Sequence, residues 1–506
     1  MNLEEHLSKY FGYESFRDGQ EETIRSILNG QHTLAMLATG TGKSICYQLP
    51  VYIMKKPAII ISPLVSLMQD QVEQLKLNGE KRVIAINSFL SHEEKMKAFR
   101  NINSYNFIFL SPEMLAFSNM IEVLKKIDIG LFVVDEAHCI SQWGFDFRPD
   151  YLRIGEMREQ LNNPLTLALT ATATKEVRQD IQQFLHLEQV HEVVTTVNRS
   201  NIGIFTETYA TYEEKEKRMV ELVTKLKKPG IIYFSSKKTA ELASEVLQAN
   251  GIKGVGTYHA GIDQDQRVLI QQQFLQNQLQ VICATSAFGM GINKENVRFV
   301  IHFHMPTSLE AYLQEIGRAG RDGKQSAAVL LYCQGDEGLP LFLLENETPS
   351  EQQLSHLFEE LVAHYGEQLV DISRKELQTV ILRMGFTDNQ ERLLNYALEQ
   401  RNGNIKEAIR FLSKHIDDVV EKKRIQWAKF YNWLFRKECY RKGITEYFNE
   451  QPTIDQEICC SNCDCNLEIY FTNGEEYNPF PYEEELDWQK VLSDFLLTKD
   501  AEYDEK

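Results

Sequence analysis

Short apolar runs, separated by longer stretches with helical spacing, cover most of the first two thirds of the chain. Each run ends in small or polar residues; the clearest are AIIISPL (58–64), FIFLSPE (107–113), LFVVDEAH (131–138), LTLALTATAT (165–174), GIIYFSS (230–236), QVICATS (280–286), VRFVIHF (297–303) and AAVLLYC (327–333). Near-continuous apolar strands that alternate with helices are typical of parallel sheets covered on both faces. The pattern therefore predicts an α/β protein with two parallel-sheet lobes, joined near residues 198–211.

After Pro340 the pattern changes to charged, helix-rich sequence, followed by a cluster of cysteines and an acidic tail. A chain of 506 residues is expected to form several domains, because a single hydrophobic core stops growing at roughly 250 to 300 residues. The expected units are a first lobe (1–205), a second lobe (206–345), a helical insertion (346–420), a helical cysteine module (421–466) and a tail (467–506).

The formal net charge of −18 argues against a nucleic-acid partner, which usually selects a basic surface. Residues 475–506 weaken this objection, because eleven acids and three bases give that segment a net charge of −8. A local basic groove elsewhere is compatible with this distribution. The chain has no apolar N-terminal stretch and no run of about 18 apolar residues, so we expect a cytoplasmic protein without membrane contact.

The segment LATGTGKSICYQ (37–48) predicts a phosphate-binding loop. Its glycines let the backbone wrap around phosphate oxygens, Lys43 would neutralise the β and γ phosphates, and the Ser44 hydroxyl would reach magnesium. The strict pattern has glycine where this chain has Leu37, but the core GTGKS is intact. The candidate nucleotide-binding residues are Thr39, Gly40, Thr41, Gly42, Lys43 and Ser44.

The tetrad DEAH (135–138) follows the apolar run LFVV, which places it at the carboxyl end of a strand, where α/β sheets bind ligands. Asp135 would hold magnesium, and Glu136 would orient or deprotonate an attacking water. The alternative interpretation is a solvent-exposed helix N-terminus without a ligand, but the upstream GTGKS favours the nucleotide site.

Arg318 and Arg321 lie in QEIGRAGRDG (314–323), 183 and 186 residues beyond Asp135. We expect them to belong to the second lobe and to reach back to the same nucleotide. Arginines placed on the γ-phosphate can raise the rate of phosphoryl transfer by about 10³ to 10⁵. This geometry is typical of a motor, whereas the alternative is a basic helix start that pairs with surface acids.

These motifs are part of a longer ordered series that resembles the RecQ family of DNA helicases, in superfamily 2. The series is FGYESFRDGQ (11–20), ATGTGKS (38–44), SPLVSLMQDQ (62–71), LSPE (110–113), DEAHCISQWGFDFRPDY (135–151), LTATAT (169–174), IIYFSSKKTAE (231–241), YHAG (258–261), ATSAFGMGINKENVRFVIH (284–302) and QEIGRAGRDG. The resemblance implies two tandem RecA-like lobes, then a helical, zinc-binding C-terminal region. It also implies ATP and Mg²⁺ as cofactors, 3′ to 5′ movement on single-stranded DNA, duplex unwinding, and a role in DNA repair or recombination.

The resemblance assigns further residues to the nucleotide. Tyr13 and Arg17 would stack on the adenine, and Gln20 would hydrogen-bond to it. Of the two arginines, the family pattern makes Arg321 the finger and Arg318 its positioning partner.

The segment CISQWGFDFRPDY resembles the aromatic-rich loop that couples DNA to ATP hydrolysis in this family. The candidate DNA-binding residues are Trp143, Phe145, Phe147 and Arg148, whose rings and charge suit stacked bases and phosphates. A loop packed on its own lobe is the alternative. In LTATAT the hydroxyls of Thr170 and Thr172 would link the nucleotide lobe to DNA movement.

Five of the nine cysteines fall within 27 residues, which favours a metal site in a cytosolic chain. The resemblance implies a four-cysteine zinc module, and the best match is Cys439, Cys460, Cys463 and Cys465. The last two are separated by one residue where the family has two, so Cys459 stays open as a substitute for a neighbour. Reduced structural cysteines without a metal are the alternative.

Two further segments give weaker expectations. Residues 382–412 resemble a small ubiquitin-associated-type bundle, although a helical spacer fits equally well. The 41 residues beyond Cys465 are too few for the winged-helix and small helical domains that often complete the family, and we expect a partly disordered tail that could dock repair proteins. Other functions that stay open are a DNA-stimulated ATPase with weak unwinding, an RNA helicase, and a structural zinc scaffold.

Overall fold

The computed structural model describes residues 2–63, 65–87, 90–115, 118–141, 149–288, 294–346, 348–366, 379–381, 383–401, 404–451 and 459–472. The aromatic loop residues Trp143, Phe145, Phe147 and Arg148 lie outside the described residues, as does the tail beyond 472.

The first lobe is a seven-stranded parallel sheet with helices on both faces, in the strand order β3-β4-β2-β5-β6-β1-β7. Its strands are β1 Thr33–Met36, β2 Ala58–Ile61, β3 Val83–Ile86, β4 Phe107–Leu110, β5 Leu131–Val134, β6 Thr166–Thr170 and β7 His191–Val194. Its helices are α1 Leu3–Phe11, α2 Gln20–Leu28, α3 Ile45–Met54, α4 Val65–Leu77, α5 His92–Arg100, α6 Pro112–Leu115, α7 Ser118–Leu124, α8 Ile154–Gln160 and α9 Lys175–Phe184, with 3₁₀ turns at Ile102–Ser104, Ala137–Ile140 and Pro149–Arg153.

The second lobe repeats this plan with six parallel strands in the order β10-β11-β9-β12-β13-β8. The strands are β8 Ile202–Tyr209, β9 Gly230–Tyr233, β10 Val255–Tyr258, β11 Val281–Ala284, β12 Phe299–His302 and β13 Ser326–Cys333. The helices are α10 Tyr212–Lys225, α11 Lys237–Ala249, α12 Gln264–Leu275 and α13 Leu309–Ile316.

The apolar runs form these sheets because both faces of each central strand are buried. In β2, Ile59 and Ile61 pack into one apolar core, while Ala58 and Ile60 pack into another on the opposite face. The two parallel sheets predicted from the sequence are thus confirmed. The strands that the apolar pattern missed include the edges β3, β7 and β10, whose partly exposed residues give a weaker apolar signal.

The two sheets are connected by residues 195–201, which we call the linker. Because β8 begins at Ile202 and pairs with β13 along its full length, the second sheet starts slightly before the predicted boundary at 205. The expected boundary at 205 falls inside β8. The pairing that defines β8 is with a strand more than 100 residues later, so the local sequence does not show where β8 begins.

The C-terminal region is helical as far as it is described. Its helices are α14 Gly338–Asn346, α15 Glu351–Tyr365, α16 Asp388–Gln400, α17 Ile405–Leu434 and α18 Tyr440–Tyr447, followed by 3₁₀ turns at Ser461–Cys463 and Leu467–Tyr470. Helix α17 is 30 residues long, about 45 Å, and runs through the predicted boundary at 420. Within the described parts of the chain, none of the helices combines the length and the apolar character needed to cross a membrane.

Helix α17 joins a small helical bundle beside the first lobe to α13 of the second lobe. Its N-terminal half packs with α15 and α16 around a separate apolar core that also contacts Leu152 of the first lobe. In its C-terminal half, the rings of Phe430 and Trp433 lie 5.9 and 5.1 Å from the ring of Tyr312 on α13 of the second lobe. The insertion is therefore docked on the first lobe, just after the aromatic loop segment; its likeness to ubiquitin-associated bundles stays a prediction.

Candidate nucleotide site between the lobes

The phosphate loop connects β1 to α3, as its sequence predicts. Gly40 and Gly42 have φ angles of +86° and +73°, which residues with a side chain rarely adopt. Ser44 stands at the N-terminus of α3, so the backbone N–H groups of the loop and the helix dipole suit an anionic ligand. The loop thus has the local geometry of a phosphate site.

Two residues of the 11–20 block contact this loop directly. The Gln20 side-chain amide donates to the carbonyl oxygens of Thr41 at 2.7 Å and Gly42 at 3.0 Å, and its own oxygen accepts from the Arg17 N–H at 2.9 Å. The Arg17 guanidinium donates to the Gly40 carbonyl. Tyr13 is 53% exposed. The structure therefore brings Arg17 and Gln20 to the phosphate loop, and their contacts with adenine stay predictions.

The acidic pair of the DEAH tetrad follows β5. Glu136 has φ +48° and ψ +47°, a left-handed conformation that is uncommon for a residue with a side chain and is often found at functional sites. Its carboxylate oxygen Oε2 lies 3.7 Å from Lys43 Nζ and 3.4 Å from His138 Nδ1. The Asp135 carboxylate accepts from the Glu136 backbone N–H at 2.9 Å.

Electrostatics separate these two carboxyl groups. Burial and the neighbouring Glu136 charge raise the pKa of Asp135 to about 6, against the opposing effect of Lys43. Burial would also raise the pKa of Glu136, but the charges of Lys43, Arg318 and Arg321 hold that pKa below its ordinary value. Glu136 is therefore ionised at neutral pH and can accept a proton or a hydrogen bond from water.

A polar chain leads from Glu136 to the threonines of LTATAT. His138 is buried, which lowers its pKa and favours the neutral ring, and its Nδ1 lies 3.0 Å from Thr170 Oγ1. The Thr170 hydroxyl in turn donates to the Thr172 carbonyl at 3.2 Å. The Thr170 hydroxyl is thus connected to the acidic pair through His138, whereas Thr172 joins the chain through its backbone, and the role of both threonines in DNA movement stays a prediction.

The second lobe approaches the phosphate loop closely at its arginine turn, residues 317–323. A Cβ placed on Gly317 would lie 2.7 Å from Thr39 Oγ1, and one on Gly40 would lie 2.9 Å from Arg321 Cγ. Burial, together with the positive charges of Arg318 and Arg199, lowers the pKa of Arg321 to about 9. The two arginines therefore face the nucleotide site of the other lobe, at a close approach that the two glycines allow.

Arg199 in the linker was not predicted, although it contacts both lobes. Its guanidinium donates to the carbonyl oxygens of Thr39 at 2.6 Å and Gly320 at 2.6 Å. Its only sequence signal is a basic residue in the predicted join, which does not reveal partners more than 100 residues away.

The cysteine cluster differs from the predicted set. The Sγ atoms of Cys439, Cys459, Cys460 and Cys463 lie within 4.8 Å of one another, and Cys465 is outside this group. Cys459 is held beside β8, where its carbonyl accepts from the Ile204 N–H at 3.2 Å. The left-handed residue Asp464 turns the chain, and Cys465 packs against the apolar core of the second lobe. The fold thus groups Cys459, and not Cys465, with the other three sulfur atoms, and which cysteines bind a metal stays a prediction.

Comparisons with known proteins agree with this geometry. The family model for DEAD/DEAH box helicases matches residues 17–181, and that for the helicase conserved C-terminal domain matches residues 214–323. The probable ATP-dependent DNA helicase RecS of Bacillus subtilis (strain 168) is 42% identical over 482 residues, which cover 95% of both chains. This chain belongs to the RecQ family of helicases.

Two further comparisons show the extent of the likeness. The ATP-dependent DNA helicase RecQ of Bacillus subtilis (strain 168) is 42% identical over 356 residues, which cover 69% of this chain and 59% of RecQ. The helicase Lhr of Mycobacterium smegmatis, solved with single-stranded DNA and AMP-PNP, has a TM-score of 0.55 at 18% identity and covers 74% of this chain and 54% of Lhr. The latter likeness shows the fold, two RecA-like lobes.

We predict that Gln20→Ala loosens the phosphate loop, because the alanine cannot donate to Thr41 and Gly42. Loss of two buried hydrogen bonds should speed hydrogen–deuterium exchange of residues 38–44 by about tenfold or more. Gln248→Ala is the control, since that amide donates to Val255 O in the second lobe. Unchanged exchange at 38–44 in Gln20→Ala would contradict the contact's role.

Proposed function

We propose that this chain is an ATP- and Mg²⁺-dependent DNA helicase that moves 3′ to 5′ on single-stranded DNA, separates duplex DNA, and acts in DNA repair or recombination. The observation that supports this most strongly is the meeting of Lys43, Asp135 and Glu136 of one lobe with Arg318 and Arg321 of the other. Membership of the RecQ family gives the reaction class. The cytoplasmic location and repair-protein partners of the tail stay predictions.

The side chains suit ATP hydrolysis by positioning and charge. Lys43 and the loop N–H groups would bind the phosphates, and the ionised Glu136 would orient the attacking water and accept its proton. Arg321 would stabilise the charge that develops on the γ-phosphate, with Arg318 holding it in place. Ser44 and Asp135 would hold Mg²⁺, which supplies positive charge to the phosphate oxygens.

DNA coupling would use the segment between the acidic pair and the docked helical region. We infer that Trp143, Phe145, Phe147 and Arg148 stack on and pair with single-stranded DNA. The polar chain through His138 and Thr170 supports this, because it begins at Glu136 and continues to the LTATAT strand end. Contacts of this kind carry little sequence information, so a sequence-tolerant motor is expected.

We further propose that the cysteine cluster binds one Zn²⁺. A tetrahedral Zn–S₄ centre with bonds of about 2.3 Å needs sulfur atoms about 3.8 Å apart. The Sγ–Sγ distances of 3.9 Å for Cys439 and Cys460 and 3.6 Å for Cys460 and Cys463 are close to this value, and that of 3.3 Å for Cys439 and Cys459 is shorter. The ion would tie α18 to the 459–463 segment.

The function is tested by strand displacement on duplexes with a 3′ tail, a 5′ tail or a fork, with Glu136→Gln as the inactive variant. We expect displacement only with a 3′ single-stranded arm and ATP, and a kcat about 10²- to 10⁴-fold lower in Glu136→Gln with ATP still bound. The exposed Glu94→Gln is the control. ATP hydrolysis without strand displacement would contradict the helicase activity and favour a translocase. Stronger stimulation of ATP hydrolysis by single-stranded RNA than by DNA would contradict the assignment of DNA as the substrate.

The metal proposal is tested by comparing Cys459→Ala with Cys465→Ala. Loss of a ligand should lower bound zinc, measured by mass spectrometry of metals, and lower the melting temperature. We expect both effects in Cys459→Ala, and one zinc per chain in Cys465→Ala. The reverse order would restore the set expected from the sequence, and no zinc in the unaltered protein would refute the site.

A further inference from the structure

We propose that Arg199 is a positioning residue that holds the phosphate loop and the arginine turn in register, and that Arg441 fixes the linker segment from which Arg199 acts. The inference rests on the proposed function, because it assigns Arg199 to the ATP site described above. It adds the linker and the cysteine module to the machinery that assembles this site.

The contacts of Arg199 span the boundary between the lobes. One terminal nitrogen donates to the carbonyl of Thr39 in the first lobe at 2.6 Å and to that of Gly317 at 3.4 Å. The other donates to the carbonyls of Gly320 at 2.6 Å and Ala319 at 3.3 Å. The second-lobe acceptors immediately flank Arg318 and Arg321. Arg199 therefore fixes the backbone of the arginine turn relative to the backbone of the phosphate loop.

Only arginine can make this set of contacts. Its planar fork presents donors on two terminal nitrogens in fixed directions, whereas lysine has a single ammonium group on a flexible stem. Arg199 is half-buried, and this burial together with the nearby charge of Arg17 lowers the pKa of its guanidinium. The hydrogen bonds to four carbonyl oxygens offset that desolvation.

Arg441 of α18 holds the linker from the opposite side. Its guanidinium donates to Asn198 Oδ1 at 2.6 Å, to the Arg199 carbonyl at 2.9 Å and to the Ile202 carbonyl. Arg441 is only 6% exposed and lies two residues after Cys439 of the cysteine cluster. The backbone of Arg199 is therefore tied to the cysteine module, while its side chain is tied to both lobes.

A second contact holds the start of the linker. The Glu450 carboxylate accepts from the Thr196 hydroxyl at 2.6 Å and from the Val197 N–H at 2.9 Å. A cavity of about 20 Å³, room for about one water, lies between Thr172, Arg199, Ile316 and Arg441. Val197 of the linker also packs into the main apolar core, so polar and apolar contacts together hold the linker in place.

The inference is tested with Arg199→Ala and Arg199→Lys by measuring kcat of DNA-stimulated ATP hydrolysis and the Kd of a fluorescent ATP analogue. We expect kcat to fall at least tenfold in both variants, and the Kd to stay within threefold because the phosphate loop is intact. Guanidinium ion, well below denaturing concentrations, should restore part of kcat to Arg199→Ala and none to Arg199→Lys.

Arg158→Ala is the matched control. Arg158 is also buried and donates to two backbone carbonyls, of Leu185 and His186, but within the first lobe alone. We expect a lower melting temperature with kcat within twofold. A kcat within twofold in Arg199→Ala, or equal losses of kcat and ATP affinity, would overturn the positioning role.

Glu136→Gln is assayed in parallel to separate the two claims. If Glu136→Gln retains activity, the proposed function fails; if it is inactive while Arg199→Ala is active, only the role of Arg199 fails. Arg441→Ala should also lower kcat. Because Arg441 would act through Arg199, the double variant Arg199→Ala/Arg441→Ala should have the same kcat as Arg199→Ala. If the fold losses of kcat in the two single variants multiply in the double variant, the two arginines act independently and the proposed role of Arg441 is wrong.

Discussion

The buried carboxylate of Glu136, surrounded by positive charges from both lobes, is the interaction on which the rest of the site depends. A buried carboxylate is costly unless its charge is compensated, and here Lys43 of the phosphate loop and Arg318 and Arg321 of the second lobe compensate it. The arginines also repel one another, since their proximity contributes to the lowered pKa of Arg321. The negative charges of a triphosphate are the natural complement of this cluster, so under the proposed function a bound nucleotide would strengthen the contact between the lobes.

Close backbone approach makes this arrangement sensitive to small movements. Gly317 faces Thr39 and Gly40 faces Arg321 with no room for a Cβ, while Arg199 bonds to the backbone on both sides. A shift of the second lobe would change these contacts together. Trp433 of helix α17 packs on Tyr312 of the second lobe, and Arg441 of α18 bonds to Asn198 of the linker. These contacts connect the C-terminal region with both sides of the arginine turn.

Much of the fold and of the site was predictable because its signals are local. The phosphate loop, the DEAH tetrad and the central strands each carry their chemistry in a few consecutive residues. Arg199 was missed because its partners lie 118 to 160 residues away in the sequence. The grouping of Cys459, and not Cys465, with the other cysteines depends on pairing with β8 and on the turn at Asp464, which spacing does not encode. The domain boundary expected at 420 falls inside α17, because the helical spacing runs without a break from 405 to 434 and marks no boundary between units.

Arg321→Ala shows whether the second lobe completes the proposed ATP site of the first lobe. The measurement is kcat of DNA-stimulated ATP hydrolysis beside the Kd for ATP in the same preparation. We expect kcat to fall by about 10³-fold or more and the ATP affinity to change by only a few fold, since the first lobe would bind the phosphates. A kcat within threefold of that of the unaltered protein would show that Arg321 does not complete the site.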